Sequence, residues 1–429
     1  MLNKQLFKKL KSFDPELCEV LKFSLDRQIS TLSLIPTDNA ASPLSQYLKG
    51  SALGNDFIGH NALEHYSRIE QLATKRACKL FKAEHAILRT GNPVAASRVV
   101  LLALAKNGDN ILSFNLRKRE HCTGSQMQYN FVKFAVEPHD FRLNFDKVRY
   151  LALKNKPALI IFSPVNYPHN IDYKKLRTIA DEVKAILWID LGQNAGLVAA
   201  EKIKSPVPFA DVVTFAASDG LHGPQSGVIL SKNKFASLLE KTVIETGHAS
   251  LKKNVMAALA ITFYEVSGEE YKSYAQQVLD NARALEKGLK KSGIEVIISP
   301  TENHLVLAKL PKNLDAELTV KNLEQAGLLV KAEKLMTSDD KISYPVLRLS
   351  SLDPTTRALY EDDMCTVGLT LGEFLKSPQD SRAIKAVHSV IKEMVENLPL
   401  FSEEWLPAAE IVREKDADLM MKSLVYGTI

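Results

Sequence analysis

Apolar residues recur along this chain with two alternating spacings. Between residues 84 and 231, short apolar runs (AILRT, NILSFN, KFAVE, ALIIFSP, AILWID, DVVTFAA and GVILS) alternate with longer amphipathic stretches. The clearest of those stretches, EHYSRIEQLATKRACKLF, VAASRVVLLALA and DYKKLRTIADEVK, repeat apolar residues every three to four positions. Runs of this length and order predict strands of a parallel or mostly parallel sheet, with helices on both faces.

The pattern then changes. A long helical stretch, roughly 250 to 293, leads away from the predicted sheet. It is followed by EVIISP, HLVLAKL, the helical DAELTVKNLEQAG, LLVKAE and PVLRLSS, the signature of a smaller α+β unit. From SPQDSR onward the chain is helical and charged, with a proline-interrupted section NLPLFSEEWLPAAE. Upstream, DPELCEVLKFSLDRQIST has helical spacing behind Asp14, a suitable N-cap, and LSLIPTDNAASP breaks into turn chemistry. The predicted units are a helical arm (1–30), a large α/β domain (31–280), a small α+β domain (281–376) and a helical extension (377–429). The extension either binds a partner or docks back onto the small domain.

Composition narrows the class. The 429 residues suffice for two domains, and the net charge of +5 is slight for that size. It gives no argument for nucleic acid, and Arg117, Lys118 and Arg119 are expected in a solvated loop. Cys18, Cys78, Cys122 and Cys365 lie far apart without metal-ligand spacing. Reduced thiols in a cytoplasmic setting follow, with no structural metal. MLNKQLFKKLKSFDPEL carries charge throughout, and no apolar run reaches membrane-spanning length. Neither nucleic acid nor a membrane is an expected partner.

The segments FDPELCEVLKFSLDRQ, LSLIPTDNAASP, EQLATKRACKLF, WIDLGQNAGLVAA, FADVVTFAASDGLHGPQSGVIL, ENHLVLAKL and VLRLSS, in that order, resemble the serine hydroxymethyltransferase family. Only the extension lies outside the resemblance. It implies the fold-type-I architecture of pyridoxal phosphate (PLP) enzymes, aspartate aminotransferase-like: a large domain with a mostly parallel sheet, and a smaller α+β C-terminal domain. It also implies a homodimer, a role in amino-acid and one-carbon metabolism, and a site shared between subunits.

Several site residues carry over by resemblance. Asp190, closing AILWID, matches the carboxylate that keeps the cofactor's ring nitrogen protonated and makes the ring an electron sink; an acid capping a loop is the plainer reading. His121, in NLRKREHCTG, matches the imidazole stacked on that ring, or is a structural loop histidine. Arg348, in PVLRLSS, falls on the arginine that grips the amino-acid carboxylate, a task suited to its planar fork. A domain-interface ion pair is the alternative for Arg348. Tyr167 matches a family aromatic, or serves packing.

Other positions depart from the family. VVTFAAS and GPQSGVIL flank the Schiff-base lysine position without a gap, and that position holds Asp219, which cannot form an imine. Asp219 is expected to cap the turn with Gly220, and Lys232 and Lys234, beyond the next strand, are expected at the surface. Exchanging the cation for an anion reverses an interaction of about 3 kcal/mol with a charge about 6 Å away. The family's histidine after the ring-binding acid is Gln193, and its approach to the lysine has become Phe215, Ala216, Ala217 and Ser218. The phosphate cup matches Gly91-Asn92-Pro93-Val94. Asn92 and Pro93 start a helix well, but proline has no N–H and valine no hydroxyl to donate. The loop a neighbouring subunit would lend, Glu245 to Ser250, keeps only Gly247, and Glu245 adds negative charge. The loop NDFIGHNALEHY is short, has Phe57 where a tyrosine is usual, and has no carboxylate at the family's acid/base position; Glu64 aligns past it.

These departures predict a catalytically degenerate family member, with no lysine imine and no one-carbon transfer. It would act as a binding, regulatory or partner subunit, in a homodimer or with a different chain. A second reading stays open: a repurposed enzyme that binds PLP, its amine form pyridoxamine phosphate (PMP), or another small anion without a covalent link. Asp219 would then serve as acid/base and Arg348 would hold a small carboxylate ligand. A third reading is an active transferase with a borrowed lysine, which would also need substitutes for the missing glutamate and tyrosines.

Overall fold

A computed structural model describes residues 4–55, 62–114, 129–248, 250, 252–339 and 341–407. The thirteen strands described form three sheets. β1 (Leu32–Ser33) comes first and lies apart from the main sheet. The main sheet is built from β2 (His85–Ile87), β3 (Asn110–Phe114), β4 (Asn130–Phe134), β5 (Leu159–Phe162), β6 (Ile186–Gly192), β7 (Val212–Ala216) and β8 (Gly227–Ser231). Their order is β2-β8-β7-β6-β5-β3-β4. All pairs from β7 to β4 are parallel, and β8 runs antiparallel to both β7 and β2. The expected mostly parallel sheet is present.

Alternate residues of the strands feed two cores. On one face Leu112, Ile160, Leu187, Val213 and Phe215 pack with Ala73, Ala77, Leu176 and Leu259 from helices Ala62–Phe81, Tyr173–Val183 and Lys253–Glu265. On the other face Ile111, Ile161, Trp188 and Val212 pack with Val99, Val100, Leu239 and Val243 from helices Pro93–Leu104 and Asn233–Val243. A strand buried on both faces is mostly apolar, and all five residues of β7 are buried, Thr214 with its hydroxyl taken by the Trp188 indole.

The second unit contains β9 (Val296–Ile297), β10 (Leu305–Lys309), β11 (Leu328–Leu329), β12 (Lys331–Met336) and β13 (Ser343–Ser350). Four of these form an antiparallel sheet in the order β12-β13-β10-β9. β11 instead pairs in parallel with β1. Leu32 and Leu34 therefore lie in the small domain's core, beside Leu285, Val306, Leu347 and Leu371, although they precede every strand of the main sheet in sequence. The helix Glu269–Lys291 belongs to both units: Tyr274 and Val278 enter the large core, Leu285 and Leu289 the small one. The helix Ser381–Val395 docks back, burying Val387, Ile391 and Val395 in the small-domain core.

The helices Pro43–Lys49 and Phe145–Asn155 fall where the sequence pattern suggested only turns or nothing definite. Each starts with a side-chain cap, Ser42 on the Ser45 N–H and Asn144 on the Lys147 N–H. Among the described residues no helix is long and apolar enough to cross a membrane.

Candidate active site

The carboxyl ends of β6 and β7 open toward the small domain, and the chain leaves them through two turns that touch. In parallel α/β sheets such edges are the usual ligand site, because the loops there are free of sheet pairing. Asp190 lies at the end of β6, opposite Thr214 of β7, and its Oδ1 accepts the Gly192 N–H at 3.2 Å across a local bulge. The Trp188 indole donates to Thr214 Oγ1 at 2.9 Å and pins the two strands just behind it. Gln193 follows in the turn and is buried.

Asp219 sits in the turn after β7 and is also buried. Ser218 Oγ donates to its Oδ1 at 2.8 Å, and Gln193 Nε2 donates to its Oδ2 at 3.4 Å. Its backbone carbonyl accepts from Asn39 Nδ2 at 2.6 Å. Burial pushes its carboxyl up to about 6; Ser218, Gln193 and Arg348 oppose that shift, and Asp38 reinforces it. The expectation that Asp219 caps its own turn gives way to a bridge between segments far apart in sequence. Gly220 makes the bridge possible. A Cβ there would lie 2.6 Å from the Gln193 carbonyl oxygen, so the two turns meet only because residue 220 has none. The Tyr271 hydroxyl donates to the Gly220 carbonyl beneath them.

Arg348 reaches this group from β13 in the small domain. It is buried, donates from Nη2 to Gln193 Oε1 at 3.1 Å, and holds Nη1 3.9 Å from Glu333 Oε1. Glu333, on β12, also accepts from Asn166 Nδ2 of the large domain at 3.2 Å and lies 3.2 Å from Lys331 Nζ. Thus Asp219, Gln193, Arg348, Glu333 and Asn166 form one polar chain that crosses between the domains twice. His304, on the same side, is fully buried with Nδ1 3.0 Å from Ser350 Oγ. Burial, with Arg348 adding to it, lowers its pKa to about 3, so the ring is neutral.

The structure joins Gln193, Asp219 and Arg348, with Asp190 on the strand that leads into Gln193, and keeps the other candidates apart from them. Asn92 is exposed and caps the helix Pro93–Leu104 through Oδ1 on the Ala95 N–H at 2.8 Å. Val94 beside it is exposed. Gly247 lies in a π-helical turn with φ of 86°, where a Cβ would meet nothing within 4 Å. Its glycine is explained by backbone conformation, and crowding does not arise within the chain. Glu245 is exposed and pairs with Lys241 at 3.6 Å. Tyr167 is buried edge-on to Phe114 and Phe162. Lys232 lies 3.3 Å from Glu84 and Lys234 3.0 Å from Asp211, at the far end of β8 from the Asp219 turn. His121 and Phe57 lie outside the described residues, as does the side chain of Glu64.

Sequence reasoning missed Asn39, Asn166, Glu333 and His304. Polar residues at the edge of an apolar run, as in ENHLVLAKL, are the one local signal for such positions. Among the described residues no group of three or more His, Cys, Asp or Glu is arranged to hold a metal ion.

The sequence pattern of the serine hydroxymethyltransferase family matches residues 10–371, well over half of the chain. The chain belongs to that family, and its α/β fold with a mostly parallel central sheet is the fold-type-I architecture of PLP enzymes.

Proposed function

We propose that this chain is a non-catalytic member of the serine hydroxymethyltransferase family, acting as a binding, regulatory or partner subunit. One observation carries the reading: the lysine position holds a buried carboxylate whose two oxygens are taken up by Ser218 and Gln193. Gln193 in turn occupies Arg348.

Family members normally bind PLP, which supplies an electron sink for carbanion chemistry when bound. Asp190 fits that group, because an acid at a strand end can hold a protonated ring nitrogen. The rest of the donor set does not fit. Asp219 offers no amine, and Pro93 no N–H. The Asn92 side chain already takes the Ala95 N–H that an anion at this helix start would need. Arg348 is turned toward Gln193 and Glu333, which supports its role as a domain-interface group over that of a carboxylate clamp. The reading assigns the chain no bound cofactor and, following its family, a dimeric assembly in the cytoplasm. Exposed Leu17, Val20 and Phe23 on the helix Pro15–Ser30 are consistent with a protein partner.

The experiment is turnover by the purified protein: serine cleavage to glycine with a tetrahydropterin acceptor and added PLP. No cofactor-dependent glycine is expected; glycine formed in proportion to bound cofactor overturns the reading.

The repurposed-enzyme reading has one observation in its favour. An Asp219 carboxyl raised to about 6 titrates where a general acid/base at neutral pH should. Any turnover found on amino acids with PLP, or on 2-oxo acids with PMP, must then fall by orders of magnitude in Asp219→Ala. Unchanged turnover removes Asp219 from the chemistry.

A further inference from the structure

We propose that residues 399–406 form an intramolecular strap, which ties the small-domain core to the large one and holds the turn at the lysine position in its present conformation. The family's pattern ends at residue 371, so the strap lies outside it. The inference is independent of whether the chain is catalytic.

The strap passes from one core to the other within a few residues. Ahead of it, the helix Ser381–Val395 and Leu398 pack in the small-domain core; Trp405 lies in the large core, with Phe401 packed against it. Pro399 bars a return to helix, and Glu403 and Glu404 stay exposed while Trp405 and Leu406 are buried. Main-chain groups anchor the segment. The Ser402 N–H donates to the Thr356 carbonyl at 2.9 Å, and the Trp405 indole to the Thr355 carbonyl at 2.8 Å. Arg357, 1% exposed, donates from Nε to the Pro399 carbonyl at 3.2 Å. Its Nη1 and Nη2 donate to the Thr31 and Ile29 carbonyls at 2.6 and 3.1 Å. A guanidinium buried this deeply needs each of these acceptors, and the strap supplies one.

These anchor points lead to the Asp219 turn. Asn39 Nδ2 donates to the Asp219 carbonyl at 2.6 Å, so its Oδ1 faces Thr356 Oγ1, also at 2.6 Å. An amide oxygen only accepts, so the Thr356 hydroxyl gives Asn39 its one proton. His222 Nε2, 3.1 Å from the same hydroxyl oxygen, then donates to it. The strap closes the other side of this network. Phe401 lies edge-on to His222 at 4.8 Å, and Trp405 edge-on to Tyr274 at 5.6 Å. The Tyr274 hydroxyl in turn lies 3.3 Å from Asn39 Nδ2. His222 has φ of 58°, a left-handed conformation uncommon for any residue but glycine. Such a turn persists because its surroundings hold it, and here the surroundings include the strap. Coupling between two sites is reciprocal, so loosening either end loosens the other.

Hydrogen exchange on the full chain, read by mass spectrometry, tests the strap in Phe401→Ala/Trp405→Ala. Exchange in peptides spanning 217–223 is expected to rise about tenfold, the scale of two lost aromatic contacts, while β5, β6 and β7 stay protected. Ile391→Ala, in the helix ahead of the strap, should expose that helix and leave 217–223 as in the native chain. Trp405→Phe keeps an aromatic ring but loses the indole hydrogen bond, and should give a smaller rise. The reverse direction is read by fluorescence. The chain has two tryptophans, so Trp188→Phe leaves Trp405 as the sole reporter. Adding Asn39→Ala to that background should increase acrylamide quenching of Trp405. Unchanged exchange at 217–223 in the double variant overturns the strap, as does an equal rise in Ile391→Ala, the mark of a general loss of stability. Unchanged quenching with Asn39→Ala overturns it as well. If the double variant loses protection throughout β5 to β7, Trp405→Phe and the quenching measurement decide.

Discussion

Two aspartates at opposite ends of β7 have nearly the same surface exposure and opposite behaviour. Asp211, just before the strand, is 7% exposed, and Asp219, just after it, 8%. Burial pushes both carboxyls up. At Asp211 the Leu187 N–H at 3.0 Å, Arg177 at 2.7 Å and Lys234 at 3.0 Å together outweigh that push and hold its pKa below the ordinary range. At Asp219 a hydroxyl, a 3.4 Å amide contact and a cation reached only through Gln193 do not. With surface exposure nearly the same, what separates a structural acid from a poised one here is the set of partners together with how deeply each carboxyl is enclosed.

The comparison breaks first at Asp211. Asp211→Ala leaves Arg177 with Asp181 as its remaining acid, takes Asp211 from Lys234, and leaves the Leu187 N–H without that acceptor. A loss of about 2–3 kcal/mol is expected in urea unfolding, the cost of leaving a buried N–H unsatisfied and of losing charged hydrogen bonds. Asp219→Asn should go the other way, stabilising the protein by about 1–2 kcal/mol at pH 7.5. The pH slopes oppose each other as well. Asp219 has a folded pKa above its unfolded one, so its contribution is complete below the ordinary carboxylate range and is lost as pH rises through about 6. Asp353, raised to about 6 by burial, adds in the same direction. The stability contributed by Asp211 is present above the ordinary range and lost as pH falls below it. His222 and His304, held near 3 by burial, pull the other way as pH falls through the ordinary histidine range, so the midpoint temperature should fall further from pH 7.5 to 5.5 in Asp219→Asn than in the native chain.

Smaller effects sharpen the same contrast. Gly220→Ala places a methyl 2.6 Å from the Gln193 carbonyl oxygen and should cost about 1–3 kcal/mol by the same unfolding assay. It should also raise exchange at the Gln193 turn. Asn92→Ala, which takes no part in the Asp219–Gln193 contact, should cost only about 1 kcal/mol, the loss of a helix cap, and leave the pH profile unchanged.

Much of the scaffold was legible because its signals are local. β5, β6, β7 and β8 are apolar runs bounded by turns, and the helix Tyr173–Val183 announces itself by spacing and by Asp172 as its cap. The pairing of β1 with β11 was not legible: LLVKAE reads as part of the small unit and LSLIPTDNAASP as a turn, and nothing local joins Leu32 to Leu328. The site divides the same way. Asp219 could be placed because the flanking strands fix its position, and Asp190 because it ends a strand. The partners of Asp219 could not be named, since Asn39 lies 180 residues away and Arg348 meets Gln193 across 155. Gln193 was readable only as a lost histidine; its work as a bridge depends on a contact between domains. Glu333 and Asn166 enter by the same long-range route.

The most direct test of a site without its lysine is the absorption spectrum of the purified protein with added PLP, before and after borohydride, followed by intact mass. The account predicts no protein-bound cofactor band and no mass increase on reduction. A reducible band that leaves one pyridoxyl group on a lysine of the chain would contradict it.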